Sequence, residues 1–138
     1  MFATAKVGRS LSKQAYKDAV EDLRTRLLEA QISAREMNIP IYVIIAGMEG
    51  AGKGGVVNAL DEWLDARGVS VHAFWEESDG ERLRPRAWRF WRAMPKRGEI
   101  SVFFGGWYQW PIEEAFASDW DEPDIDSCMR RVRELERM

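Results

Sequence analysis

The sequence predicts an α/β fold built on a parallel sheet, from three observations. A short apolar run rich in β-branched residues, Ile41–Ala46, reads as a buried parallel strand. A glycine-rich loop, "GMEGAGKGG", follows it directly and leads into a helical pattern. Strand-like and helix-like segments then alternate, which is the signature of βαβ units with right-handed crossovers. At 138 residues, 46% hydrophobic and 31% charged, the composition is globular and fits one domain or part of one.

The elements follow in chain order. From about Ser12 to Asn38, Tyr16, Val20, Leu23, Leu27, Ala30, Ala34 and Met37 recur every three or four residues, one stripe of a long helix. Pro40 ends it, because proline disfavours helix in the residue before it. The strand Ile41–Ala46 and the glycine loop come next. A helix over Lys53–Arg67 is expected to bury Val56, Leu60, Trp63 and Leu64, with Gly68 as its C-cap. Val69–Trp75 reads as a second strand. Leu83, Ala87, Trp91 and Met94 mark a helix ending at Pro95, and Glu99–Phe104 reads as a third strand. Residues 111–138 hold nine acids and four arginines, a net charge of −5. Ile125, Met129, Val132 and Leu135 or Glu136 suggest a last helix there, which the chain end cuts. The expected organisation is a single domain over 1–138. It has an N-terminal helix (11–38), a βαβ core (39–110) and an acidic tail (111–138).

Composition limits the function classes. A formal net charge of −3 gives no bulk attraction to nucleic acid, so no nucleic-acid partner is expected. The single cysteine, Cys128, allows no internal disulfide and fits a reducing cytoplasm. The N-terminus has no signal-peptide core, and the longest apolar run, "IYVIIAG", is far below a membrane span. A cytoplasmic protein with no membrane partner is therefore expected. One histidine and one cysteine make no zinc set.

The loop carries the chemistry. Gly47-x4-Gly52-Lys53 between a strand and a helix is a phosphate-binding pattern. Backbone N–H groups of Gly47, Gly50, Ala51, Gly52, Lys53, Gly54 and Gly55 are expected to cradle phosphate oxygens, with the helix dipole behind them. Lys53 is the expected catalytic cation. Position 54 lacks the usual Ser or Thr that would hold magnesium, and no acid occurs from Ile100 to Ile112, where a partner carboxylate is normally expected. Glu49, inside the loop, is the candidate metal ligand. Arg82, Arg86, Arg89 and Arg92, spaced 4, 3 and 3, would share one helix face and could follow a polyanion. The plainer reading is a solvated face paired with Glu76, Glu77, Asp79 and Glu81. His72 is expected to be structural, and Trp88, Trp91, Trp107, Tyr108 and Trp110 to be core or interface.

Taken together, "GMEGAGKGG" and "WRFWRAMPKRGEISVFFGGWY" resemble the polyphosphate kinase 2 family, and within it the N-terminal half of tandem-domain members. The resemblance runs from about Leu11 to Tyr108. It implies a P-loop kinase-like three-layer sandwich, of which three strands are seen here against a usual five. It also implies phosphoryl transfer between polyphosphate and AMP or ADP with magnesium (Mg2+), and pairing with a second family domain or a second copy. In that family the loop ends Gly-Lys-Gly, so Gly54 is a family trait, and an Asp is usual at the place of Glu49. The resemblance implies an acid and an arginine before Ser or its equivalent at the third strand, where this sequence has Phe104, Gly105 and Gly106, and a chain that is a fragment lacking the family's lid. The expectation is a degenerate domain supporting an active half, itself with little or no activity. The alternatives are a non-catalytic structural, regulatory or polyphosphate-binding module, and an ATP-dependent nucleoside monophosphate kinase, which the missing Ser or Thr disfavours.

Overall fold

The computed structural model describes residues 10–47, 49–109, 111–112, 115 and 121–137. Trp110 and most of the first ten tail residues lie outside them. Helix α1 (Lys13–Glu36) precedes β1 (Ile41–Ile45), and α2 (Lys53–Trp63) follows it. A 3-10 turn (Ala66–Gly68), β2 (Val69–Ala73), α3 (Asp79–Arg82), α4 (Trp88–Trp91), β3 (Ile100–Phe104) and α5 (Glu122–Glu136) complete the order.

The three strands form a parallel sheet in the order β1-β3-β2. Ile45 and Ala73 both pair with Phe104, so all three strands end at one edge. The loop after β1 and the exits of β2 and β3 therefore meet there. In open α/β sheets, crevices at the carboxyl ends of strands are where ligands bind.

Side-chain alternation along β3 divides the core between two faces. Ile100 and Val102 pack with Val57 and Leu64 of the α2 segment, with Leu27 of α1 and with Ile41 and Val43 of β1. Phe103 points the other way, against Phe90, Ala93, Trp107, Val132 and Leu135. The result is three layers, helices α1 and α2 on one face and α4 and α5 on the other. Ser101, also on the second face, donates its hydroxyl to the Ala93 carbonyl at 2.9 Å, so its burial leaves no unmet polar group. The parallel three-strand sheet, the layering and the long first helix agree with the sequence.

Several expectations need correction. The Ile41–Ala46 strand is an edge strand and only partly covered; β3 is the central, buried one. The α1 stripe is half right. Ser12 caps the helix through its hydroxyl to Ala15 N–H at 3.1 Å. Ala34 is buried and Leu27 packs on the core, but Tyr16, Leu23 and Met37 are exposed. Gln31, absent from the stripe, is instead 2% exposed. Its amide exchanges two hydrogen bonds with the Asp65 backbone, at 2.9 and 2.8 Å, which makes a polar residue cheap to bury. Helix α2 ends at Trp63, before Arg67, and buries Val57 while Val56 is exposed. Gly68 does not cap that helix. It closes the 3-10 turn, where a Cβ would meet the Arg35 and Gln31 side chains at 3.0 and 3.3 Å.

The single helix expected over Leu83–Met94 shrinks to α4 (Trp88–Trp91), and a separate short helix, α3 (Asp79–Arg82), ends before it. Pro85 lies between them, and a proline ring inside a helix clashes with the preceding turn. Leu83 is thereby left at the surface. In α5, Cys128, Val132 and Leu135 are buried and Ile125 is exposed. The Glu136 carboxylate accepts the Trp107 indole N–H at 3.2 Å and the Tyr108 hydroxyl, which ties the end of α5 to the exit of β3. That hydrogen bond to Glu136, followed by burial, raises the Tyr108 pKa above its ordinary value. Trp107 is 1% exposed, so it is core, as expected. His72 lies edge-on to the Phe103 ring with centroids 5.8 Å apart, a packing role.

Candidate phosphate-binding site

The glycine loop turns sharply. Gly50 and Gly52 have φ of 78° and 83°, in the left-handed region that side chains avoid. Gly52 is the N-cap of α2 and no side chain caps the helix there. The N–H groups of Lys53, Gly54 and Gly55 thus lack intrahelical partners, since the first bond of the helix is Val56 N–H to the Gly52 carbonyl at 3.3 Å. Uncapped amides at a helix N-terminus, with its dipole, favour an anion.

Lys53 closes the loop on itself. Its Nζ donates to the Gly47 carbonyl at 2.6 Å and lies 5.5 Å from the centre of the Phe104 ring. The structure so brings together Gly47, Gly50, Ala51, Gly52, Lys53, Gly54 and Gly55 as one turn with the ammonium across it. Added Cβ atoms at Gly50, Gly52, Gly54 and Gly55 meet nothing within 4 Å, so the outer side of the loop is open.

The exit of β3 is built on close packing at two glycines. Gly105 donates its N–H to the Ile45 carbonyl at 2.9 Å and has φ of 83°. A Cβ there would meet the Phe74 carbonyl oxygen at 3.2 Å. At Gly106 it would lie 2.9 Å from the Ile44 side chain. Both places disfavour a side chain, Gly105 through its left-handed backbone and the Phe74 carbonyl, Gly106 through the Ile44 side chain. Just before them the Phe104 ring faces Lys53.

Glu49 is exposed at the loop, and no group of three or more His, Cys, Asp and Glu comes together among the described residues. This fits magnesium in one mode only. Magnesium takes one or two carboxylates and completes its shell with phosphate oxygens and water, so Glu49 could hold it once a phosphate is present.

The arginines do not share a helix face, because the helix is broken. Arg82 is on α3, Arg86 lies in the turn, Arg89 is on α4 and Arg92 is its C-cap. Arg82 pairs with Asp79 at 3.8 Å. Arg89 is largely buried and lies 3.3 Å from Glu81, an ion pair rather than a directed hydrogen bond, and it donates to the Trp75 carbonyl at 2.9 Å. Arg84 and Arg92 lie against the Trp88 ring, 4.4 and 4.9 Å from its centre. These are cation–π contacts, worth about 0.5–1 kcal/mol each when exposed. Two residues of the site were not singled out from sequence: Phe104 as the neighbour of Lys53, and Trp75, whose ring is 5.4 Å from Phe104. The signal was present, since parallel strands deliver their C-terminal residues to the same edge.

The polyphosphate kinase 2 model matches residues 10–138. The chain belongs to the polyphosphate kinase 2 family. It is 40% identical over its whole length to a polyphosphate:AMP phosphotransferase of Pseudomonas aeruginosa, covering 28% of that protein. It is 32% identical over 72% of its length to a GDP-polyphosphate phosphotransferase of Mycobacterium tuberculosis, covering 34% of it. A crystal structure from Pseudomonas aeruginosa, provisionally assigned as a polyphosphate kinase 2, superposes with a TM-score of 0.87 at 40% identity. It matches 99% of this chain, which covers 30% of it. The chain thus spans about 28% of the length of the first of these relatives. Within this family the P-loop fold is shared, and no helix among the described residues is long and apolar enough to cross a membrane.

Proposed function

We propose that this chain is the N-terminal domain of a polyphosphate-dependent phosphotransferase that moves a terminal phosphoryl group from polyphosphate to AMP, or on to ADP, in the cytoplasm. The domain itself is degenerate and supports an active half. The names of its relatives support the reaction class. The observation that carries the division of labour is the exit of β3. Side chains are disfavoured at Gly105 and Gly106, and an aromatic ring, Phe104, rather than a carboxylate faces Lys53, which supports that reading.

Phosphoryl transfer is catalysed chiefly by positioning and by neutralising charge. In this reading the amides of Lys53, Gly54 and Gly55 bind phosphate oxygens, and the Lys53 ammonium leaves the Gly47 carbonyl to add a point charge. Glu49 holds magnesium against the same phosphate. When bound, that ion supplies further charge neutralisation on the phosphate oxygens.

A coupled assay with polyphosphate, AMP and magnesium is the test. The chain alone is expected to show no turnover, yet to bind inorganic tripolyphosphate in a way that Lys53→Ala weakens at least tenfold, as loss of a charge-assisted contact does. Turnover abolished by Lys53→Ala would overturn the degenerate reading. Absence of tripolyphosphate binding would overturn the phosphate-site reading.

The exposed apolar residues of α1 favour a second reading, a non-catalytic polyphosphate-binding or dimerisation module. It pairs with another family domain or a second copy. The two readings share the loop and differ in what α1 covers.

A further inference from the structure

Beside the loop lies an aromatic surface that phosphate binding does not use. Trp75 sits two residues past the end of β2 and is 70% exposed, unusual for the largest apolar side chain. Its ring is tilted 45° to Phe104, with centroids 5.4 Å apart, and the Lys53 ammonium lies 5.5 Å from that same Phe104 centroid. Adding 5.4 and 5.5 Å bounds the separation of the ammonium and the indole at about 11 Å. The indole is therefore within reach of a base whose phosphate lies at the Lys53 loop.

Trp75 is held rather than loose. Arg89 donates to its carbonyl at 2.9 Å, and Arg89 is in turn ion-paired with Glu81. Trp75 also lines a cavity of about 490 Å³ at the carboxyl edge of the sheet. Glu76, Glu77 and Gln109 form part of its wall. That volume is in the range of small-molecule sites, and Phe74 and Phe90 line it together with Arg86 and Arg89, so its wall is strongly polar. Carboxylates and an amide suit the exocyclic amines and ring nitrogens of a base.

We infer that Trp75, backed by Phe104, is a stacking platform for the base of a nucleoside mono- or diphosphate whose phosphate lies on the Lys53 loop. This deepens the proposed function and rests on its phosphate site. The domain would then retain a nucleotide while the chemistry occurs elsewhere.

Calorimetric titration of the chain with ADP, and separately with inorganic tripolyphosphate, tests it. Stacking on an aromatic side chain is worth enough that Trp75→Ala should weaken ADP roughly tenfold. Trp75→Phe should restore most of that affinity, and tripolyphosphate should change less than twofold in either variant. Because Trp75 is exposed, both variants are expected to fold, which circular dichroism checks. ADP affinity indifferent to Trp75, or equal losses for both ligands, overturns the platform. If tripolyphosphate binds but ADP binding ignores Trp75, the phosphate site stands without the platform. If ADP binding depends on Trp75 while tripolyphosphate is not bound, the platform stands and the polyphosphate reading falls. Binding of neither ligand overturns both.

Discussion

Glycines 52, 54 and 105 look alike in sequence and do different work. Gly52 needs its left-handed backbone to cap α2. Gly54 has no such need, and a Cβ there meets nothing within 4 Å. Gly54→Ala should therefore stabilise the fold by about 0.5 kcal/mol, through lower unfolded-state entropy and better helix propensity. Gly52→Ala should destabilise it by about 1–2 kcal/mol, because an L-residue is strained in that conformation. Urea unfolding of the two variants distinguishes them by sign. Gly105 is more constrained still, with the Phe74 carbonyl oxygen 3.2 Å from any Cβ. Gly105→Ala is expected to lose about 2 kcal/mol or more, combining backbone strain with the clash. Gly105→Arg would meet the same strain and the same carbonyl. The loop motif was legible from spacing alone, since phosphate cradling needs only glycines and a lysine at fixed offsets. The Phe104 contact to Lys53 was not, because it depends on which strands are neighbours.

At the scale of elements, the sequence showed where structure begins more reliably than which face it buries. Pro40 correctly bounded α1, but α4 stops at Trp91, short of Pro95, Pro85 was passed over, and the apolar spacing of Leu83, Ala87, Trp91 and Met94 read as one helix. Arg82, Arg86, Arg89 and Arg92 then shared a face only on paper. The contact of α1 with the turn after α2 was invisible to apolar periodicity because a polar residue makes it. Gln31 grips the Asp65 backbone, and the Asp65 carboxylate is bound by Arg67 at 2.6 Å and approached by Arg35 at 3.8 Å. Gln31→Leu should cost about 2 kcal/mol, since it strands a backbone N–H and carbonyl. The Arg67 side-chain hydrogen bond, then its backbone N–H, lower the Asp65 pKa from 3.8 to about 2. The folded value lies below the unfolded one, so the folded state holds the proton less tightly. This stabilisation is whole above pH 3.8 and is lost as pH falls through about 2. Asp65→Asn should accordingly be less stable than the parent at pH 7. That difference should shrink on acidification across this window, as denaturant midpoints at each pH would show. A difference that stays constant to pH 2 would mean that the carboxylate contributes nothing by its charge.

For the molecule as a whole, the unresolved balance lies on α1. Its 24 residues reach about 36 Å at 1.5 Å per residue, yet only its C-terminal part, around Leu27, Gln31 and Ala34, packs on the body. Tyr16, Leu23, Leu28 and Ile32 remain exposed along it. An amphipathic helix normally buries its apolar stripe, because packing rather than propensity provides most of a helix's stability. Burying four such side chains on each of two copies gains on the order of 12–24 kcal/mol. Association itself costs from about 4 to 15 kcal/mol, so a surplus of about 8 kcal/mol, a Kd near micromolar, lies inside that range. Sedimentation equilibrium of the chain should show such a reversible dimer. Tyr16→Lys with Leu23→Lys should return it to monomer, because lysines facing each other repel, while the helical circular dichroism is retained. A monomer at concentrations well above micromolar would overturn self-association through α1.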